Sequence, residues 1–226
     1  MIKALESVAE AEFLPPEFIR GEVAAGRVVI PGNRNRPSVR ALGVGRALRT
    51  KINVNLGNSP LAGHTGTELA KLRCAVNAGA DTVMDLSTGS DADEIRRRIL
   101  DASPVPVGTV PIYQAVGMVD EIADLTPEHL IQVIEHQARQ GVDFMTIHAG
   151  LLRAQLPAAK RRLLGIVSRG GSILAQWMSI HGRENPLFER FDRVLDICRE
   201  HEVTISLGDG MRPGCLADAS DEAQFA

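Results

Sequence analysis

Six stretches of the chain end on side chains able to hold a small polar molecule. They read Asn53-Val54-Asn55-Leu56-Gly57-Asn58-Ser59, Met84-Asp85-Leu86-Ser87-Thr88-Gly89, Ile112-Tyr113-Gln114, Thr146-Ile147-His148-Ala149-Gly150, Ser168-Arg169-Gly170-Gly171-Ser172 and Gly208-Asp209-Gly210-Met211-Arg212. The fifth has the most specific pattern. Two glycines flanked by serines and followed by Ile173-Leu174-Ala175 would let backbone N–H groups and a helix N-terminus cradle a phosphate, with Arg169 adding charge. The same residues would also suit a tight turn that needs glycine for its dihedrals. The sixth sets a carboxylate beside a guanidinium, a pair suited to sugar hydroxyls and a second anionic group. His148 is either a hydrogen-bonded structural histidine or a working one. Asp85 is either a functional acid or the partner of a neighbouring backbone. Tyr113, the only tyrosine, fits a core residue with a wet tip, and the alternating Asn53 and Asn55 fit either polar fill inside a barrel or a ligand. No G-x-G-x-x-G, Walker, C-x-x-C or H-E-x-x-H pattern occurs, so spacing supports no dinucleotide, nucleoside triphosphate or metal site.

These residues need strands to carry them. From Lys51 onward short β-like runs alternate with helical patterns: Ile52–Gly57, Thr82–Ser87, Val107–Tyr113, Phe144–His148, Gly165–Ser168 and Val203–Leu207 read as strands. Thr65-x-x-Glu68 reads as a capping box, with Leu69, Leu72 and Val76 on one face; Ser90-x-x-Asp93 is a weaker box with Ile95 and Ile99 a turn apart. Thr126-Pro127 predicts a helix start with Leu130, Ile131, Ile134 and Ala138 inward and Gly141 as the stop. Asn185-Pro186 predicts another, with Leu187, Phe191, Val194, Leu195 and Cys198 on one face. Alternation of this kind requires a parallel sheet, because parallel strands need crossover connections. About six βα units fit, fewer than the eight of a closed barrel. Residues 1–20 read as an amphipathic helix broken at Pro15-Pro16, and 27–50 as an irregular, arginine-rich lead-in, which divides the chain into a lead-in over 1–50 and a partial barrel over 51–226. In such folds ligands bind at the carboxyl ends of the strands, where all six polar stretches fall. Arg96-Arg97-Arg98 reads as a solvated helix face, with Glu94 pairing Arg98, and His129, His136 and His201 as solvent-facing.

Composition narrows the class. Of 226 residues, 44% are apolar and 23% charged, which excludes a disordered chain, and the net charge of -3 argues against gripping nucleic acid by bulk electrostatics. Aromatics at 4% are too few for a base-stacking platform. No apolar run approaches the ~20 residues of a membrane span, and no secretory leader is legible. Cys74, Cys198 and Cys215 are sparse and far apart, as expected of a reducing cytoplasm, and read as ordinary thiols.

Taken in order, KINVNLGNS, ADTVMDLSTG, SPVPVGTVPIYQA, GVDFMTIHAG, IVSRGGS, ENPLFERFD and SLGDGMRPGCLADASDEAQ, with IPGNRNRP before them, resemble the phosphomethylpyrimidine synthase (ThiC) family of thiamine biosynthesis, a group within the radical S-adenosylmethionine enzymes. The resemblance implies an α/β fold of the (β/α)₈ TIM-barrel type. It implies 5-aminoimidazole ribotide as substrate, rearranged by a 5′-deoxyadenosyl radical to 4-amino-2-methyl-5-phosphomethylpyrimidine. The cofactors it implies for the full-length family are a [4Fe-4S] cluster, S-adenosylmethionine and a divalent metal, zinc. The family's ribotide contacts fall on Asn55, Met84, Tyr113, His148, Ser168, Arg169 and Gly170, and on Asp209, Gly210, Met211 and Arg212. Its metal-binding histidines and its C-x₂-C-x₄-C cluster ligands have no counterpart here, so the resemblance implies an N-terminal two-thirds without metal ligands, inactive as a synthase alone. The sister family, 5-hydroxybenzimidazole synthase, starts from the same substrate and is the alternative. A non-catalytic ribotide-binding protein is another, and an ordinary phosphate-binding isomerase or aldolase ranks last for want of a strand-end lysine. A homodimer is the implied assembly.

Overall fold

A computed structural model describes residues 2–225. Five strands form one parallel sheet in chain order: β3 (Asn53–Leu56), β4 (Thr82–Asp85), β5 (Val107–Thr109), β6 (Phe144–Ile147) and β7 (Thr204–Leu207). They follow a two-residue antiparallel hairpin of β1 (Val28–Val29) and β2 (Val44–Gly45). The helices are α1 (Ile2–Glu12), α2 (Pro16–Ala24), α3 (Thr65–Asn77), α4 (Ala92–Ala102), α5 (Pro111–Val116), α6 (Pro127–Gln140), α7 (Leu156–Ala159), α8 (Arg169–His181), α9 (Pro186–Glu189), α10 (Phe191–His201) and α11 (Glu222–Phe225). The contacts group into two compact units. One runs to Thr109 and adds His136–Met145 and Cys198–Thr204; the other holds Val110–Glu135, Thr146–Ile197 and the chain from Ile205.

In the first unit, the register pairs Asn55 with Met84 and Leu56 with Asp85, and Gly108 with Phe144. Its core is Leu72, Val83, Ile95, Ile99, Val107, Ala138, Val142 and Met145, all essentially inaccessible. The break at Pro15-Pro16 separates α1 from α2, which fold back together over Leu5, Val8, Ala9 and Ile19. The NRNR stretch of the lead-in is tied down by side chains. Asn33 Nδ2 donates to the carbonyls of Ala138 (2.8 Å) and Val142 (2.9 Å), and Asn35 Nδ2 to that of Arg139 (3.0 Å). Arg36 donates to Ser103 O (2.9 Å) and pairs with the buried Asp143, whose Oδ2 also accepts from Val107 N (2.8 Å). Burial lifts the Asp143 carboxyl to about 6, against the pull of Arg36.

The second unit is built around Trp177, Ile112, Leu125, Leu130, Ile134, Ile147, Leu151 and Leu174. Trp177 Nε1 donates to Leu125 O (2.6 Å), so the single tryptophan of the sequence satisfies its polar atom inside the core. Thr126 Oγ1 accepts from His129 N (3.2 Å) and starts α6, and Leu130, Ile131, Ile134 and Ala138 are buried as the pattern predicts.

Several expectations are corrected. Val107–Tyr113 is not one strand: Pro111 starts α5 and Tyr113 lies in that helix, because the proline's missing N–H and fixed φ suit a first helical turn. Gly165–Ser168 makes no ladder, so among the described residues the sheet has five strands, not six. Thr65 is not the cap of α3. His64 is, accepting from Thr67 N, while Glu68 is drawn inward to Gly57 N (2.7 Å) and Lys71 (2.7 Å). Asp91, not Ser90, precedes α4. Arg96 is buried, held by Asp93 and by Gln140 Oε1 (2.6 Å), so only Arg97 and Arg98 form the solvated face. His201 is buried, and Leu195 is exposed where Ile197 takes the inward place. Asn53 and Asn55 are exposed and bond each other (3.0 Å). Among the described residues no helix is long and apolar enough to cross a membrane.

Candidate functional site

The polar stretches of the second unit converge. β6 ends at Ile147, and His148 follows directly, its side chain buried. The imidazole lies between two glycines from different segments. A Cβ on Gly170 would stand 2.5 Å from its Cε1, and one on Gly208 would stand 2.7 Å from its Cδ2. Any other residue at either place would expel the ring. Gly171 likewise meets the Gly210 carbonyl, where a Cβ would stand 2.5 Å away. The glycines of the two motifs thus serve close approach, and they bring the start of α8 against the loop after β7.

Around this slot stand the charged groups. Ser168 caps α8, its Oγ accepting from Gly171 N (3.2 Å). Arg169, the first residue of the helix, is exposed and stacks its guanidinium over the Tyr113 ring at 4.8 Å. Asp209 Oδ1 accepts from Met211 N (2.9 Å), and Arg212 Nη1 donates to Asp209 O (2.8 Å). That turn leaves the exposed Asp209 and Arg212 side chains at the rim with Met211 buried beneath. A cavity of about 200 Å³ is lined by Gly150, Leu151, Gly208, Asp209, Gly210 and Met211 among others.

His148 is electrically unusual. Burial, reinforced by Arg212 and opposed by Asp209, pulls its imidazole down to about 4, so it is neutral at pH 7. Its Nδ1 is buried without a partner. An orphaned polar atom of that kind is costly in a folded protein.

The remaining predicted residues, Asn55 and Met84, lie in the first unit as register partners on β3 and β4, Asn55 exposed and Met84 half-buried. Nearby Asp85 is taken up locally. Its Oδ1 accepts from Ser87 N (3.0 Å) and Ser87 Oγ (2.5 Å), and burial raises its carboxyl above the ordinary range. That is the neighbouring-backbone role. Sequence reasoning missed Asn185 as more than a cap: its Nδ2 donates to His148 O (2.8 Å) and Leu151 O (2.9 Å). No sequence signal distinguishes that use from a plain N-cap.

A metal shell has less to draw on. Among the described residues no group of three or more His, Cys, Asp or Glu side chains is placed to hold a metal ion. Cys74 is exposed, Cys215 half-buried, and burial pushes the Cys198 thiol up to about 11, away from the thiolate a metal would need.

Comparison with known proteins gives the chain a family. The model of the radical SAM ThiC family matches residues 1–226. A phosphomethylpyrimidine synthase of Natronomonas pharaonis is 57% identical over 223 residues, 99% of this chain and 47% of the relative. Proteins of the same name from Halobacterium salinarum and Haloarcula marismortui are 55% and 54% identical, covering 47% and 46% of their lengths. The chain therefore spans about half the length of the curated relatives it matches, not the two-thirds expected from the sequence.

Proposed function

The chain belongs to the radical SAM ThiC family, and from that premise we propose that it is the ribotide-binding part of a phosphomethylpyrimidine synthase in thiamine biosynthesis. The reaction is the conversion of 5-aminoimidazole ribotide to 4-amino-2-methyl-5-phosphomethylpyrimidine. Residues 51–226 are read as part of a (β/α)₈ barrel, preceded by the lead-in over 1–50. The family implies a [4Fe-4S] cluster and S-adenosylmethionine, which supply a 5′-deoxyadenosyl radical; zinc is the metal we add to that set. Among the described residues no group of three or more His, Cys, Asp or Glu is placed to hold a metal ion, and the roles we give these residues are toward the ribotide.

The observation that carries the reading is the glycine-walled His148 slot, with Arg169 and Arg212 beside it. The first turn of α8 offers backbone N–H groups, and Arg169 a cation, to the ribotide phosphate. Asp209 and Arg212 suit ribose hydroxyls and a second polar group. His148, neutral and with a free ring nitrogen, can bond the aminoimidazole without adding charge. A radical reaction asks for this: a fixed pose and excluded water rather than acid–base relay. Asn55 and Met84 are included as contacts from β3 and β4 through the family motifs they match. A cytoplasmic location and a homodimer complete the reading, with no nucleic acid or membrane partner; the curated relatives carry the pyrimidine synthase name, and the benzimidazole alternative is set aside.

Calorimetric titration of the chain with 5-aminoimidazole ribotide, beside the unphosphorylated riboside, tests it. Saturable ribotide binding, with the riboside markedly weaker, is expected. Equal binding of the two would remove the phosphate assignment, and no binding of either would remove the function.

A further inference from the structure

Asn185 does more than start α9. Its Oδ1 accepts from Leu187 N (3.0 Å), which is the cap. Its Nδ2 spends both protons elsewhere, on the carbonyls of His148 and Leu151. Only a carboxamide supplies two donors and an acceptor from one short side chain. The residue is fully buried, so each bond is made where losing a partner is most costly. Glu184 secures the arrangement from the other side, its Oε1 accepting from Asn185 N (2.8 Å) and Arg153 N (2.8 Å).

The consequence concerns the imidazole. Gly170 and Gly208 wall the ring and set its plane. Backbone walls do not set how far the ring reaches between them. That depends on the main chain that carries it, and the His148–Leu151 turn is fastened at its two ends by one side chain. We propose that Asn185 is a positioning residue for ribotide binding, fixing the reach of the His148 ring by holding the His148 and Leu151 carbonyls. This rests on the ribotide reading of the site.

Asn185→Ser in the full chain separates the two uses of the residue, since serine is an equally good N-cap but is too short, and has too few protons, to hold both carbonyls. The ligand-free protein is read first, by the His148 Cε1–H resonance, with circular dichroism reporting that the variant is folded. A shifted resonance supports the proposal, and an unmoved one in a folded variant overturns it. Ribotide affinity should then fall about tenfold, as for one buried group left unpaired; unchanged affinity also overturns it. A measurement on the unmodified protein needs no variant to fold. When ribotide shifts the His148 resonance, the Asn185 side-chain NH₂ resonances must shift with it, and a stationary pair overturns the proposal. If the unmodified chain binds no ribotide, the functional reading fails, while the ligand-free His148 comparison still decides the positioning role.

Discussion

The two ends of β6 carry buried ionisable groups, and the fold treats them in opposite ways. Asp143, just before the strand, is a carboxylate given a guanidinium and a backbone N–H. His148, just after it, is an imidazole whose Nδ1 has no partner and whose ring is pinched between glycines. The first arrangement holds elements together: through Arg36 and Asn33 it pins the lead-in to the ends of α4 and α6. The second holds nothing together. It lies at the end of the strand where ligands bind in parallel α/β sheets, and the proposed reading gives it the ribotide. Buried polarity alone therefore does not mark a site, nor does one unpaired atom, since Asp143 Oδ1 and His201 Nδ1 are unpaired too; what sets His148 apart is its place at the carboxyl end of the strand between two glycine walls.

The largest effect should come from breaking the answered end. Arg36→Ala leaves the Asp143 carboxyl buried without its cation, and should cost about 3–5 kcal/mol of stability in a urea melt. A loss below about 1 kcal/mol would show that Arg36 is dispensable and that the contrast drawn here is wrong. Ribotide affinity of whatever protein remains folded should be unchanged.

The next effect, about 3 kcal/mol at each end, is a pH dependence of opposite sign. His148 falls from 6.5 to about 4 on folding, so its contribution is present above 6.5 and lost as pH falls through 4. Asp143 rises from 3.8 to about 6, so its contribution is present below 3.8 and lost as pH rises through 6. In the parent the two nearly cancel between pH 4 and 6. Asp143→Asn should uncover a stability that increases with pH over that window, and His148→Gln one that decreases. Identical slopes in the two variants would contradict the assignment of either group.

How much of this was legible in the sequence follows from the same contrast. Strand ends, glycine-rich turns and the Thr126 and Asn185 caps are local signals, and β3, β4, β6 and β7 fall where alternation places them. Convergence of SRGGS with GDGMR on His148 was not legible as geometry, because a glycine's reason lies in what approaches it; Gly170 and Gly208 read as turns until the ring between them is seen. Long-range bonds were hidden for the same cause. Arg96 and His201 looked solvated from helical spacing, yet Arg96 is turned inward to Gln140, 44 positions away in the chain. Tyr113 reads as a strand end because apolar Val107–Ile112 outweighs the proline in its midst, whereas that proline starts α5.

Arg212→Ala sharpens the unanswered end. Its side chain is exposed, and its Nη1 donates to a carbonyl three residues back in its own turn, Asp209 O (2.8 Å). Stability should hardly change. Ribotide binding should weaken by about 1–3 kcal/mol, since a charged hydrogen bond to the ligand is lost. Removing the cation should also let the His148 imidazole titrate higher, because Arg212 is one of the forces that depress it. Affinity equal to the parent's in a titration would take Arg212 out of the site.

The smallest effect calibrates the others. Thr126 caps α6 from an exposed position, its Oγ1 accepting from His129 N, and it touches neither Asp143 nor His148. Thr126→Ala should cost about 1 kcal/mol, the worth of one N-cap. It should lower the urea midpoint while leaving both the pH slope between 4 and 6 and the ribotide affinity where they were. If this variant changed the pH slope as much as His148→Gln does, the slope would be reporting general loosening, and the distinction between the two ends of β6 would rest on the Arg36 and Arg212 variants alone.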